Sequence, residues 1–195
     1  LVDTHVHLVL DATADPVAAL AERDDDQAVE AMIDAARIAA RGGVTTVRDL
    51  GDRDYLSLFL AGQPGLPTVV AAGPPITTRG GHCHFLGGVA DPGPEGMRTA
   101  VLEHVERGVD VIKIMASGGF LTPGTREDQS PFSVDELRAA IEEAHRHGLP
   151  VTAHVHGTDA IVDSISAGID GLEHASFMTA DGIEDAPDEV VEDIV

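Results

Sequence analysis

Short apolar, β-prone runs alternate along the chain with longer stretches whose apolar residues recur at helical spacing. Residues 1–7 read as a first strand. A helix over 27–41 carries Val29, Met32, Ile33 and Ala36 on one face and stops at Gly42 and Gly43. Strands are predicted over 44–50 and 68–72. Pro94 sits well in a first helical turn, and the helix that it opens ends at Gly108. A fourth strand, 109–116, follows. Ser133 and Glu136 form a capping box, and the helix beyond it turns Val134, Leu137, Ile141 and Ala144 inward before Gly148-Leu149-Pro150. A strand over 151–155, a helix from Thr158 to Ala167 and a strand over 169–174 come next. Pro187 opens a last helix with Val190, Val191 and Ile194 inward.

Helix, glycine, then strand, repeated in this way, implies parallel strands joined by right-handed crossovers. An open doubly wound sheet and a (β/α)8 barrel both fit. In a barrel all strand C-termini converge on one mouth, where polar residues from separate strands can meet. An open sheet would string them along a line. The polar residues discussed below end strands one, four, five and six, which favours an α/β TIM barrel of which about six βα units are visible. The three longest connections, 11–26, 74–94 and 118–130, all follow strands and are expected to be structureless loops on the active face. Asp24-Asp25-Asp26 reads as a solvated charge run.

A chain of 195 residues with 43% hydrophobic and only 3% aromatic residues can bury one aliphatic core. No apolar run approaches the ~20 residues that span a bilayer. The formal net charge of -22 repels nucleic acid and anionic membranes, so neither is expected as a partner. Asp enrichment fits a high-salt source or a GC-rich genome that writes Arg for Lys. A single cysteine, Cys83, excludes an internal disulfide and suits a reducing cytoplasm. The chain starts without Met inside a strand and ends inside a helical run, as expected of a piece of a longer protein. Six barrel strands leave two sheet edges that another chain would have to cover, so a homo-oligomer is expected.

The one lysine, Lys113, lies in the apolar run Val111-Ile112-Lys113-Ile114-Met115. There it is either paired, with Glu173 or Asp110 as candidates, or chemically altered. Burial lowers the proton affinity of an amine, and a neutral amine can add CO2 to give a carbamate whose two oxygens can bridge two cations. His5, His7, His154 and His174 follow apolar runs of their own. Alone, each could be a satisfied core histidine. Together with Lys113 they argue for a binuclear site, and neutral imidazoles suit Zn²⁺. His5 and His7, two apart on a strand, share a face. His145 and His147, two apart on a helix, diverge and read as surface residues near a helix C-terminus. His82 and His84 flank Cys83 in a flexible loop, where three adjacent ligands close poorly around one ion. His82 is a candidate substrate contact. His156 shares the face of His154 if the strand continues, and reads equally as substrate contact or as hydrogen-bond support for a ligand. Arg79 could pair with a substrate carboxylate, although a lone loop arginine is more often solvated.

Asp3-Thr4-His5-Val6-His7-Leu8, the run from Val111 to Gly119, Ala153-His154-Val155-His156-Gly157 and Gly171-Leu172-Glu173-His174 resemble the amidohydrolase superfamily, in its prolidase and imidazolonepropionase-like branch. The resemblance covers almost the whole chain in order. It implies a (β/α)8 barrel with two divalent metal ions, usually zinc. His5 and His7 would hold the buried ion, carboxylated Lys113 would bridge, and His154 and His174 would hold the exposed one. It implies hydrolysis of C–N bonds of small molecules or dipeptides by a metal-bridging hydroxide, with Lys113, His154 and His174 in the catalytic centre. It also implies an acid/base aspartate after strand eight, expected beyond Val195 together with strands seven and eight and the flanking β-sandwich, so that this chain alone is expected to turn over poorly. Dipeptides with a C-terminal proline or basic residue, or small lactams, are the implied substrates. Two rivals stand beside this reading: phosphotriesterase- or lactonase-like chemistry on a similar site, and a non-catalytic metal-binding module.

Overall fold

The structure is a computed structural model that describes residues 1–194. It is a mixed α/β fold of parallel strands with helices packed outside them. In chain order the elements are β1 (Val2–Val6), α1 (Pro16–Ala21), α2 (Asp25–Arg41), β2 (Thr46–Asp49), β3 (Thr68–Ala71), α3 (Pro94–Arg107), β4 (Ile112–Met115), α4 (Val134–Arg146), β5 (Val151–Gly157), α5 (Thr158–Ala167), β6 (Gly171–Thr179), β7 (Gly182–Ile183) and α6 (Asp188–Ile194).

The strands form two parallel sheets, β1-β2-β3 and β4-β5-β6, the second extended by antiparallel β7. The sheets meet along the chain that follows β3. The amide of Asp110 donates to the Ala71 carbonyl, that of Ile76 to Lys113 and that of Met115 to Ile76, each at 2.8 Å. Side chains reach from β1 to β6 as well: His5 Nδ1 lies 2.8 Å from Glu173 Oε2. The strand C-termini therefore face one common region, where the polar candidates gather.

Local chemistry explains the boundaries. Asp24 caps α2 in a full capping box with Gln27, and Asp25 and Asp26 occupy its first turn, where acidic groups meet the positive end of the helix dipole. Ser133 and Glu136 do the same for α4, and Glu136 Oε1 also accepts from the Gly93 amide that precedes α3. Gly108 and Gly168 end α3 and α5 in the left-handed conformation. One apolar cluster, with Ile112, Ile114, Ala153 and Val155 at its centre, lies between β4, β5 and helices α3 to α5. A second packs Met32 and Ala36 of α2 against Val47, Val69 and Ala71.

Several expectations are corrected. Residues 11–26 are not a bare loop: Asp15 caps a short helix, α1, and Arg23 pairs with Asp11. The acidic triplet is exposed, as solvated carboxylates should be, but it serves as cap and first turn of α2, and Asp25 binds Arg53. The connection 74–94 carries the β-bridge of Ile76 to Ile114 and a single helical turn, His84–Leu86. In α6, Val190 is buried whereas Val191 is exposed, since neighbouring residues on a helix point about 100° apart. The side chain of Ile194 falls outside the described residues. His174 does not end its strand. β6 runs on to Thr179 and bulges, with two residues of β5, Val155 and Gly157, facing His174 and Met178. His174, Ala175 and Phe177 all take positive φ, at 72°, 46° and 51°. Side chains rarely adopt that region, and such strain clusters at functional sites.

Candidate metal centre

The fold brings six of the ten histidines into one cavity of about 300 Å³. β1 delivers His5 and, just beyond its end, His7. β5 delivers His154 and His156, which share a face because the strand continues to Gly157. The β6 bulge delivers His174. His82 comes from the loop after β3, and Lys113 from the middle of β4. The rings touch: His5 lies 5.0 Å from His174, His154 lies 4.7 Å from both His156 and His174, and His82 lies 4.6 Å from His154, centroid to centroid.

Hydrogen bonding fixes which nitrogens are free. His7 Nδ1 lies 3.0 Å from the Gly51 carbonyl, which can only accept, so Nδ1 carries the proton and Nε2 is a bare lone pair. His5 Nδ1 faces the Glu173 carboxylate and donates to it, which bares its Nε2 too. These two bare Nε2 atoms stand 3.3 Å apart. Two lone pairs at that distance repel unless a cation or proton lies at them. His154 Nε2 donates to the Gly118 carbonyl at 3.1 Å, leaving Nδ1 free. Donation of the second ring N–H to a carbonyl or carboxylate is the usual device that orients a ligating histidine.

Electrostatics keep these rings neutral. Burial, with the nearby Lys113, pushes His7 down to about 4 and His154 to about 2. Burial and the neighbouring histidines take His82 and His174 to about 4. Lys113 is 1% exposed, and its Nζ has no hydrogen-bond partner among the described residues. Burial lowers its pKa to about 7 against the pull of Glu173. The ion pairs expected for it are not made. Asp110 accepts from the Ala71 amide. Glu173 is taken up by His5, by Arg48 at 2.7 Å and by Thr152 at 2.7 Å. Burial would raise Glu173, but those bonds and the charge of Lys113 win and hold it at about 2. Neutral histidines and two facing lone pairs fit a group that brings positive charge, and Lys113 is compatible with it only once its amine has lost its own charge. His154, His156 and His174 also satisfy the geometry on their own, with one ligand atom from each lying within 4.8 Å of the others.

Three further placements bear on the site. Arg79 is exposed and lines neither this cavity nor the neighbouring one of about 240 Å³ that shares His82. His82 and His84 point apart: His82 is buried against His154, whereas His84 is exposed and bonds to the Gly81 carbonyl. His145 and His147 are exposed and pair with Asp170 and Glu143.

Sequence reasoning missed the supports. Asp49 is fully buried, and its carboxylate accepts from the Leu8 amide at 3.1 Å and the Gly51 amide at 3.2 Å. It thereby clamps the turn whose carbonyl orients His7. Gly51 and Gly119 give the rings room. A Cβ on Gly51 would lie 3.1 Å from the His7 ring, and one on Gly119 only 2.5 Å from His82 Nε2. An acidic residue at the end of β2, before Leu50-Gly51, was the available signal.

A family model described as the amidohydrolase family matches residues 1–194. The chain belongs to the amidohydrolase family. Among its relatives, ochratoxinase of Aspergillus niger is 44% identical over 89 residues, which is 46% of this chain and 18% of that protein. An uncharacterized protein of Mycobacterium bovis is 30% identical over 186 residues, 94% of this chain and 45% of its own length. A solved Xaa-Pro dipeptidase with methionine bound in its active site superposes with a TM-score of 0.81 at 28% identity, covering 93% of this chain and 49% of the dipeptidase. The chain thus spans half or less of these relatives. Among the described residues no helix is long and apolar enough to cross a membrane.

Proposed function

We propose that this chain supplies the first six βα units of a (β/α)8 barrel and the binuclear divalent-metal centre of a hydrolase that cleaves C–N bonds in small molecules or dipeptides. The observation that carries the proposal is Lys113, an amine buried at 1% exposure, without a hydrogen bond among the described residues, inside a ring of inward histidines. His5 and His7, through their bare Nε2 atoms, would hold one ion, and His154, through Nδ1, with His174 would hold the other. Lys113, about half neutral near pH 7, attacks the carbon of CO2. A C–N bond forms and one proton leaves Nζ for solvent, which would give an anionic carbamate able to help the histidines hold divalent cations. When bound, two zinc-like cations supply Lewis acidity toward an amide carbonyl and acidify water. Glu173 keeps His5 turned inward, and Asp49 with Gly51 does the same for His7. His82 and His156, on the cavity wall, contact the substrate. The relatives named dipeptidase and ochratoxinase support small hydrolysable substrates.

The compact cluster of His154, His156 and His174 favours a second reading, a single ion held there. Assaying the zinc-loaded parent protein, at the full length of the relatives that it matches, on dipeptides, N-acyl amino acids, lactones and phosphotriesters tests the proposal. Turnover of amides above the others is expected. Preference for lactones or phosphotriesters would move the chain to that chemistry, and no turnover with full metal loading would favour a binding module.

A further inference from the structure

Arg48 of β2 does not line the histidine cavity, yet it holds both groups that aim His5. β1 and β2 run parallel but slip by one residue at its level. Asp3 faces Val47 and Val6 faces Asp49, so Thr4 and His5 together stand opposite Arg48. A bulge of this kind re-aims the side chains that it carries. Here the His5 amide turns to the Asp3 carboxylate at 3.3 Å, and Arg48 Nε donates to the Thr4 carbonyl at 2.7 Å. From the same guanidinium, Nη2 donates to Glu173 Oε1 at 2.7 Å. The other oxygen of that carboxylate, Oε2, receives the ring N–H of His5 at 2.8 Å. One planar group thus spans from the peptide carbonyl just before His5 to the carboxylate that orients its ring. The Glu173 side chain is only 10% exposed, so water replaces the guanidinium poorly. Thr152 Oγ1 also reaches Oε1, but a hydroxyl that has given its only proton there cannot hold the Thr4 carbonyl as well.

We infer that Arg48 is a positioning residue of the metal centre: it sets the β1 bulge and the Glu173 carboxylate together, and through them turns the bare Nε2 of His5 toward the ion that His7 shares. The inference rests on the hydrolase reading and adds to it a residue outside the cavity. Geometry rather than charge is the operative property. A lysine at this position would keep the positive charge, but it offers one nitrogen on a flexible stem in place of a rigid fork. His154 takes its orienting bond from the Gly118 carbonyl instead, so the second ion should not feel the change.

Two measurements on the parent protein, at the full length of the relatives that it matches, test this with Arg48→Met and Arg48→Lys. In metal-free protein, long-range proton–nitrogen NMR spectra of samples labelled with nitrogen-15 histidine read the tautomer of each ring. His5 should carry its proton on Nδ1 alone in the native protein and populate both tautomers in both variants, while His154 keeps its native tautomer. Zinc titration against a competing chelator should then show one ion bound about 10- to 100-fold more weakly in both variants and the other within about twofold of native. An unchanged His5 tautomer, native zinc affinities in the variants, or full zinc binding in Arg48→Lys would overturn the inference. Equal weakening of both ions with a lowered melting temperature would overturn it too, by reducing Arg48 to a general support of the fold. A native protein that binds no zinc, while its His5 tautomer shifts in both variants, would remove the hydrolase reading and keep Arg48 as the residue that aims His5.

Discussion

Replacing Lys113 with methionine should make the metal-free protein more stable, which is unusual for the loss of a charged residue. Methionine matches the length of the lysine stem and needs no hydrogen bond. The native lysine is held at a pKa of about 7 against an ordinary 10.5, chiefly by burial. At about 1.36 kcal/mol per pH unit, that gap amounts to a penalty of about 4 kcal/mol at pH 7. The sign follows from proton counts. Between pH 7 and 10.5 the unfolded chain binds the proton more tightly than the folded one, so native stability rises with pH, and by pH 9 the penalty shrinks to about 2 kcal/mol. Relaxation around the amine makes these upper estimates. Chemical denaturation in CO2-free, chelator-treated buffer should therefore show Lys113→Met about 2–4 kcal/mol more stable than wild type at pH 7, with a smaller difference at pH 9. A variant less stable than wild type at pH 7 would refute the reasoning. It would mean that the ammonium is satisfied, by Glu173 for example, as a buried ion pair.

Glu173→Gln should cost about 10- to 100-fold in zinc affinity by leaving His5 unanchored, while far-UV circular dichroism stays unchanged; unaltered affinity would remove Glu173 from the site's support. Gly119→Ala should lower stability by about 1–3 kcal/mol, because the new Cβ falls 2.5 Å from His82 Nε2, and a thermal melt like that of wild type would show that the loop yields freely. Stability of the metal-free protein should fall as pH drops from 6.5 toward 4. Unfolded histidines take up protons there, while burial keeps His7, His82 and His174 near 4 and His154 near 2, and His154→Asn should flatten the slope. A pH profile equally steep in that variant would count against a buried neutral His154.

The repeating order of elements was legible because capping boxes, terminal glycines and aliphatic runs act locally. The capping box at Ser133 and the stop at Gly108 set α4 and α3 much as their residues imply. Five of the residues that line the histidine cavity were legible for the same reason, since each follows or lies in an apolar run. What was hidden depends on contacts distant in sequence. No local pattern announces that Asp49 would leave solvent to bind the Leu8 and Gly51 amides, or that Glu173 would turn from Lys113 to His5, Arg48 and Thr152. The bulge at His174 was hidden too. Its residues have strand propensity, and the left-handed backbone arises only where β6 departs from the register of β5. Arg79 shows the converse, a residue of suitable chemistry that the loop turns toward solvent.

Metal stoichiometry tests the central claim most directly. The protein would be expressed with zinc and bicarbonate, desalted and analysed for zinc per chain, in parallel with Lys113→Met. The account predicts close to two ions per chain in the native protein and a loss of at least one in the variant. Folded native protein without zinc, or equal loading of both proteins, would contradict it.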